Sequence, residues 1–316
     1  MSPSVDISFV IPVYNGSRTV GGVVREIHTL FRDLEIEVVL VNDGSQDDTE
    51  RTCTDLLEEF PESVVFVHLA RNFGEHNAVL AGLNQSTGKY AAVLDDDGQN
   101  PPAEVRKMYD AIIASGDDVV YGRYIVKRHG RMRNFGSWLN DRVANIMLKK
   151  PRELYLSSFK VMNRFVVDEI TGYKGPFPYI DGLILRTTQR ISQVDVEHRE
   201  RSGSRSTYTL RKLFSLWLNM FLNFSITPLR VASLLGAAAS SVSLLLLVGV
   251  VVDKLYINPD VAVGLPTVLA TIVFFAGVQL LILGTIGEYL GRLFLDHTKS
   301  PQFVVRYVRS GRRSHG

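Results

Sequence analysis

The turn that decides the fold lies at residues 90–102, where the sequence is Tyr-Ala-Ala-Val-Leu-Asp-Asp-Asp-Gly-Gln-Asn-Pro-Pro. Its apolar half predicts a short buried strand, which the glycine and the two prolines end. Ionised side chains are too costly inside a sheet, so the carboxylates are expected at the carboxyl end of this strand, where open α/β sheets bind ligands. A side-chain period of two puts Asp95 and Asp97 on one side, where they would offer two oxygen ligands to Mg²⁺ or Mn²⁺. An acidic surface turn has the same composition, so the surrounding sequence must decide between the two interpretations.

Strand and helix patterns alternate on both sides of this turn. Buried strands are predicted at 7–15, 37–41, 64–69, 90–94 and 118–122, and helices at 19–32, 49–60, 77–85 and 105–115. This alternation predicts an α/β domain with a mostly parallel sheet and right-handed crossovers. Neither Gly-x-Gly-x-x-Gly nor Gly-x-x-x-x-Gly-Lys-Ser/Thr occurs, so phosphate must be held in some way other than by a dinucleotide fold or a P-loop.

Composition limits the possible partners and compartments. The 316 residues carry a formal net charge of +2, which gives no general reason to expect nucleic acid as a partner. Cys53 is the only cysteine, so no internal disulfide can form and a reducing compartment is expected. The segment before the first predicted strand, residues 1–6, is short and polar and lacks the pattern of a signal peptide. Residues 1–208, the expected catalytic domain, are therefore predicted to stay in the cytoplasm.

Four motifs carry a resemblance to a known family. In chain order they are residues 11–15 (Ile-Pro-Val-Tyr-Asn), 41–47 (Val-Asn-Asp-Gly-Ser-Gln-Asp), 71–74 (Arg-Asn-Phe-Gly) and 95–102. Together they resemble family 2 glycosyltransferases with a GT-A (Rossmann-like) fold. More narrowly, they resemble polyprenyl-phosphate transferases, such as dolichol-phosphate mannose synthases and undecaprenyl-phosphate glucosyl- and formamido-arabinosyltransferases. The resemblance implies a metal at Asp95, Asp97 and Gln99, and a nucleotide beside Pro12, Tyr14, Asn15, Asp43, Gly44, Arg71 and Asp96.

The resemblance also implies an acceptor phosphate that is held by arginines. The segment after the predicted last strand is rich in Arg and Lys, and the planar guanidinium group pairs well with phosphate oxygens. Arg123 and Arg133 resemble the arginines that hold the lipid phosphate in the family, with Ser137 nearby and Arg131 as an alternative to Arg133. A solvated basic loop is the plainer interpretation, and it is preferred for residues 127–128.

A second basic segment resembles the flexible loop that covers the diphosphate in the family. The family pattern is matched at His198, Arg201, Ser206 and Tyr208, whereas Ser204 stands where glycine is usual. A linker between domains has a similar composition and is the alternative. The chain also departs from the family at Tyr155, where the family usually has an aspartate whose carboxylate contacts the sugar. Asp181 is a candidate for part of this contact with the sugar, and a position in a surface turn is an equal alternative.

The last third of the chain predicts a membrane anchor. An amphipathic pattern at 209–227 predicts an interfacial helix, and two apolar stretches within 228–290, at 231–252 and 265–286, are long enough to span a hydrocarbon core of roughly 30 Å. Basic residues flank this pair, so the positive-inside rule puts both termini and the basic tail, 291–316, in the cytoplasm. Contacts with membrane lipids are expected there. Glycines at 284, 287 and 291 favour close helix packing, which is compatible with a homo-oligomer such as a tetramer.

These features predict a glycosyltransferase of the inner membrane. The expected reaction is inverting transfer of a sugar from a nucleotide sugar, with UDP favoured, to polyprenyl (undecaprenyl) phosphate. Such a phosphate monoester has a second pKa near about 6 and needs no general base. The expected catalytic residues are Asp95, Asp97, Arg123, Arg133 and Arg201. The alternatives are a GDP-mannose-dependent polyprenyl- or dolichol-phosphate mannose synthase, a polysaccharide synthase, and a membrane scaffold without activity.

Overall fold

The computed structural model describes residues 5–124, 154–175, 178–197, 199, 245, 256, 265–297 and 301–311. The chain divides into two units, one formed by residues 1–209 together with 299–316 and the other by residues 210–298. The first unit contains every described strand and all but one of the described helices.

The first unit is an α/β domain built on one sheet. Its described strands are β1 (Ile7–Val13), β2 (Ile36–Asn42), β3 (Val64–Leu69), β4 (Tyr90–Val93), β5 (Val119–Tyr124), β6 (Lys160–Asn163), β7 (Ile191–Val196) and β8 (Val305–Ser310). Its described helices are α1 (Val20–Leu30), α2 (Thr49–Glu59), α3 (Glu75–Gln85), α4 (Pro102–Ser115), α5 (Arg164–Thr171) and α6 (Ile180–Thr187). The strands lie in the order β7-β5-β6-β4-β1-β2-β3-β8.

The central strands are apolar along almost their whole length because helices cover both faces of the sheet. On one face, side chains of β1 such as Phe9 and Ile11 join a core that includes Val24 of α1, Leu56 of α2 and Met108 of α4. The opposite face packs against α3. A Cβ at Gly82 of that helix would come within 2.5 Å of a methyl group of Val10 on β1, so this glycine is what lets α3 approach the sheet closely.

The mostly parallel α/β sheet predicted from the sequence is confirmed. β1 pairs in parallel with β2 and β4, β2 with β3, and β5 with β7. Two strands depart from the parallel arrangement: β6 runs antiparallel between β4 and β5, and β8 runs antiparallel along β3. Neither strand was predicted: β6 has only four residues, and β8 lies in a segment that was interpreted as a basic tail.

Strand β8 covers the edge of the sheet at β3. The ring of Tyr307 stacks on His68 of β3 with centroids 5.0 Å apart, and its hydroxyl donates a hydrogen bond to Glu50 of α2 at 2.6 Å. An uncovered strand edge is prone to pair with other chains. Residues near the end of the sequence thus complete a sheet that begins at residue 7.

The second unit contributes helix α7 (Leu265–His297). This helix includes the predicted second span, 265–286. By criteria of length and hydropathy, no helix in the described part of the chain qualifies as a membrane span. The first predicted span and the interfacial helix lie outside the described residues, apart from Leu245. The two-span hairpin stays a prediction.

Candidate active site

The strand order creates a crevice at the carboxyl ends of β1 and β4. From β1 the chain proceeds outward to β2 and β3, then returns to place β4 on the other side of β1. In open α/β sheets, ligands bind where the strand order reverses in this way. The loops that follow β1, β2 and β4 contain most of the residues that were predicted to bind nucleotide and metal.

Asp95 and Asp97 lie in a turn just beyond β4. The strand ends at Val93, so the two carboxylates do not share one pleat of a strand, as the side-chain period had suggested. Gly98, with φ of 72°, helps to form the turn. Asp97 accepts a hydrogen bond from the backbone N–H of Gln99 at 3.0 Å. The turn therefore brings the acidic groups to the crevice.

Asp95 is held by two polar side chains from different parts of the fold. Its Oδ2 accepts hydrogen bonds from Asn100 Nδ2 at 2.8 Å and from Ser158 Oγ at 3.1 Å. Asn100 is itself buried and accepts a hydrogen bond from the hydroxyl of Tyr124 at 2.8 Å. Ser158 lies two residues before β6, so the antiparallel insertion supplies one of the groups that orient this carboxylate.

The acidic turn has the electrostatics of a cation site. Burial, and then the charge of Asp97, raise the pKa of the Asp95 carboxyl. A divalent cation bound to the two carboxylates would offset their mutual repulsion and the cost of burying the negative charge of Asp95. Among the described residues there is no group of three His, Cys, Asp or Glu side chains that could hold a metal. A metal at Asp95 and Asp97 would thus need Gln99, water or substrate oxygens as further ligands.

Asp96 connects the acidic turn to the loop after β1. A Cβ built on Gly16 would lie 1.9 Å from Asp96 Oδ2. Only a residue without a side chain allows this approach. The loops after β1 and β4 are therefore in direct contact across the crevice.

The loop after β1 is tied to the loop after β2 through polar contacts. Asn15 has a left-handed φ of 55°; its N–H donates to Ser45 Oγ at 3.0 Å, and its Oδ1 accepts from the N–H of Gln46 at 2.9 Å. Tyr14, beside it, is 50% exposed. The side chain of Asn15 thus orders the loop, while the ring of Tyr14 lies at the surface and is accessible to a planar ligand.

Asp43 holds a third loop in place. This buried carboxylate accepts hydrogen bonds from the backbone N–H groups of Phe73 at 2.7 Å and Gly74 at 2.9 Å. Burial raises the pKa of the Asp43 carboxyl, although the two amide donors oppose the rise. Next to it, Gly44 has φ of 64°, and a Cβ there would lie 2.4 Å from the backbone of Arg71. The predicted contact of Asp43 with a base or ribose stays a prediction.

A buried ion pair lies on the same face of the sheet as α3, and the sequence had not predicted it. Lys160 Nζ on β6 pairs with Asp181 Oδ1 on α6, which also accepts a hydrogen bond from the hydroxyl of Tyr121 at 2.9 Å. Asp181 is 8% exposed, so the surface turn considered for it was wrong. Burial, and then the charge of Asp181, raise the pKa of Tyr121 well above its usual range.

Glu75 and His76, at the start of α3, were also missed. The ring of His76 meets Tyr179 edge to face, with centroids 5.1 Å apart. Glu75 is close enough to Asp95, Lys160 and Asp181 for their charges to act on it. The only available signal was the position of these residues directly after the Arg71–Gly74 motif, and nothing in the local pattern marked them as part of a site.

A family model described as Glycosyl transferase family 2 matches residues 8–171. The chain belongs to glycosyltransferase family 2. The match contains the acidic turn, the loops after β1 and β2, and strand β6. The protein is therefore a glycosyltransferase, and the prediction of its family and of its enzymatic class is confirmed.

This glycosyltransferase is similar over nearly its whole length to proteins named undecaprenyl-phosphate 4-deoxy-4-formamido-L-arabinose transferase. The protein from Pseudomonas fluorescens is 30% identical over 309 residues, which cover 96% of this chain and 89% of the relative. The protein from Pseudomonas paraeruginosa is 31% identical over 309 residues, with coverages of 96% and 90%.

Among solved structures, the glycosyltransferase resembles glucosyl-3-phosphoglycerate synthase from Mycobacterium tuberculosis. The complex of that synthase with Mn²⁺, uridine diphosphate and phosphoglyceric acid aligns with a TM-score of 0.52 at 20% identity, over 69% of this chain and 76% of that chain. At this identity the likeness supports the GT-A fold alone.

In the glycosyltransferase, the guanidinium group of Arg123 already has a partner within the protein. Arg123 lies on β5, exposed, and its Nε donates to Asp195 on β7 at 2.5 Å. Any contact of Arg123 with an acceptor phosphate would have to compete with this carboxylate. The other predicted acceptor and loop residues lie outside the described residues: Arg131, Arg133, Ser137, His198, Arg201, Ser206 and Tyr208.

Proposed function

We propose that this glycosyltransferase transfers a sugar from a nucleotide sugar, preferably a UDP-sugar, to polyprenyl phosphate. The observation that carries the proposal is the Asp95–Asp97 turn at the crevice between β1 and β4, held by Asn100 and Ser158. Undecaprenyl phosphate is the favoured acceptor because the full-length relatives are named for it. Relatives that share about 30% of their residues support an acceptor class better than they support a particular sugar.

The metal is proposed to be Mg²⁺ or Mn²⁺, held by Asp95, Asp97 and Gln99. The repulsion between the two carboxylates supports a cation there, and the mycobacterial synthase was crystallised with Mn²⁺ and uridine diphosphate. Such a cation would stabilise the negative charge of the departing nucleotide diphosphate. The backbone N–H of Gln99 donates to Asp97, which stabilises the turn that presents the ligands.

The protein's own groups are proposed to bind and orient the two substrates. The exposed ring of Tyr14 and the loops held by Asn15 and Asp43 would form the nucleotide side of the crevice. A phosphate monoester is largely ionised at neutral pH, with a second pKa of about 6, so the acceptor oxygen attacks the anomeric carbon without a general base. A single displacement of this kind inverts the anomeric configuration.

The acceptor is proposed to reach the crevice from the cytoplasmic face of the inner membrane. Arg133 or Arg131, Ser137 and Arg201 would offset the charge of the lipid phosphate, and Arg123 would join them if it leaves Asp195. Arginine suits this task because its fork binds two phosphate oxygens at once. The two-span anchor, lipid contacts, cytoplasmic termini and a homo-oligomer belong to the same proposal.

The proposal can be tested with the full chain in nanodiscs. UDP-sugars and GDP-mannose, each labelled in the sugar, are supplied with Mn²⁺, with and without undecaprenyl phosphate, and label in the lipid fraction is counted. Asp97→Asn should lower transfer by at least about a hundredfold, since it removes one of two charged ligands. Asp55→Asn, an exposed carboxylate on α2, is the matched control. Transfer that persists in a chelator, or label that never enters the lipid with any donor, would overturn the metal role or the acceptor, respectively.

A further inference from the structure

The start of helix α3 lies beside the start of α6, the helix that carries Asp181, because the ring of His76 meets that of Tyr179 edge to face and Tyr179 directly precedes α6. The loop that leads into the helix is held by Asp43 through the N–H groups of Phe73 and Gly74. Gly74 has φ of 93°, a conformation that favours glycine, and Glu75 follows as the first residue of α3. The position of Glu75 is therefore determined by the same carboxylate that organises the predicted nucleotide side of the crevice.

Glu75 differs from the other acidic groups around it. Asp43, Asp95 and Asp181 each accept at least two hydrogen bonds or an ion pair from the protein. Glu75 is exposed, and no hydrogen bond or ion pair within the described part of the chain involves its carboxylate. A carboxylate in such a place is available to a ligand.

The charges around Glu75 restrict which ligand group it can meet. The nearby Lys160 is already paired with Asp181, and the charges of Asp95 and Asp181 oppose that of Glu75. Although the side chain of Glu75 reaches solvent, the protein atoms around it displace part of its hydration. This desolvation, followed by the charge of Asp95, raises the pKa of the Glu75 carboxyl to about 7. A phosphate would be repelled here, whereas a hydroxyl group can donate a hydrogen bond to the carboxylate.

We propose that Glu75 is a specificity residue that accepts a hydrogen bond from a hydroxyl group of the transferred sugar. This inference rests on the proposed function, since it assumes a nucleotide sugar in the crevice. His76, whose ring packs on Tyr179, would fix the start of α3 against α6 and so hold Glu75 towards the sugar. The substrate class that this selects is a nucleotide sugar with a free hydroxyl group at the contacted carbon, in preference to the deoxy sugar.

The experiment compares the nucleotide with nucleotide sugars in the full chain in nanodiscs with Mn²⁺. Calorimetry gives the Kd for UDP, UDP-glucose, and UDP-glucose analogues that are deoxygenated at carbon 2, 3, 4 or 6. Glu75→Gln and Glu75→Ala are compared with the wild type and with Glu58→Gln, a control at an exposed carboxylate on α2. Hydrogen bonds to a charged group support an expected loss of about tenfold or more in UDP-glucose affinity for Glu75→Ala, with UDP affinity unchanged within about twofold.

One deoxy analogue should single out the contacted hydroxyl group. The wild type should bind that analogue as weakly as Glu75→Ala binds UDP-glucose, and the substitution should have no further effect on it. Equal losses for UDP and UDP-glucose, or no loss for either, would overturn the assignment of Glu75. If Glu75 passes this binding test while the wild type moves no sugar to undecaprenyl phosphate, the acceptor in the proposed function is wrong and the role of Glu75 stands.

Discussion

The buried pair between Lys160 and Asp181 offers the sharpest test of how the catalytic domain is held together. Their side chains are 3% and 11% exposed. Lys160 also lies over the ring of Tyr121, with Nζ 5.2 Å from the ring centroid. Lys160→Met keeps the length of the side chain and removes its charge, so Asp181 keeps only the Tyr121 hydroxyl as a described partner.

The expected loss follows from the uncompensated charge. Breaking a buried ion pair by removing one partner costs about 3–5 kcal/mol, because the remaining ion is left in a poorly solvating environment. For a domain of about 200 residues, each kcal/mol shifts Tm by about 2–4 °C, so Tm should fall by about 6–20 °C. The double variant Lys160→Met/Asp181→Leu removes both charges. It should lie within about 2 kcal/mol of the wild type, since only the Tyr121 hydroxyl loses its acceptor.

Thermal unfolding of the wild type, the two single variants and the double variant in the same detergent closes a double-mutant cycle. Lys89→Met provides the control, because Lys89 forms an ion pair with Asp6 while the two side chains are 59% and 25% exposed, and pairs in contact with solvent contribute about 0–1 kcal/mol. The reasoning would be refuted if Lys160→Met unfolded at the wild-type temperature, or if the double variant were no more stable than the single variants.

Three further outcomes are expected. Gly16→Ala should force Asp96 and the loop after β1 apart and lower kcat by at least about tenfold with a modest fall in Tm, since a Cβ would lie 1.9 Å from Asp96 Oδ2; steady-state kinetics beside thermal unfolding separates the two effects. Arg123→Ala should raise KM for undecaprenyl phosphate while the Kd for UDP stays unchanged. Asp195→Asn, which releases the same arginine, should not raise that KM. A raised Kd for UDP in Arg123→Ala with an unchanged KM for undecaprenyl phosphate would place Arg123 on the nucleotide. Burial lowers the pKa of His28, which stacks on Phe60. As the pH falls, the imidazole is therefore protonated in the unfolded chain before it is protonated in the folded protein, so the stability of the folded protein should fall as the pH drops below about 6.5. A plot of Tm against pH should be flatter for His28→Gln over that range.

Much of the first half of the fold could be predicted because its patterns are local. The run Val64–Leu69 has the same bounds in the structure as in the prediction, and the acidic residues do follow a buried strand, at the crevice between β1 and β4. The four motifs at residues 11–15, 41–47, 71–74 and 95–102 together predicted the family that the comparison confirmed. Apolar runs and turn residues determine such features within a few residues of themselves, so neighbouring sequence is enough.

The sequence by itself thus determined the alternation of strands and helices, the acidic turn after β4 and membership of glycosyltransferase family 2. Only the tertiary structure decided which distant groups meet there: Ser158 binds Asp95 across 63 positions of sequence, Arg123 pairs with Asp195 across 72, and Asp181 is buried rather than on the surface. Local patterns do not encode these partners, because they arise from strand pairing. The antiparallel insertion of β6 delivers Ser158 and Lys160, and the parallel register of β5 with β7 sets Arg123 opposite Asp195.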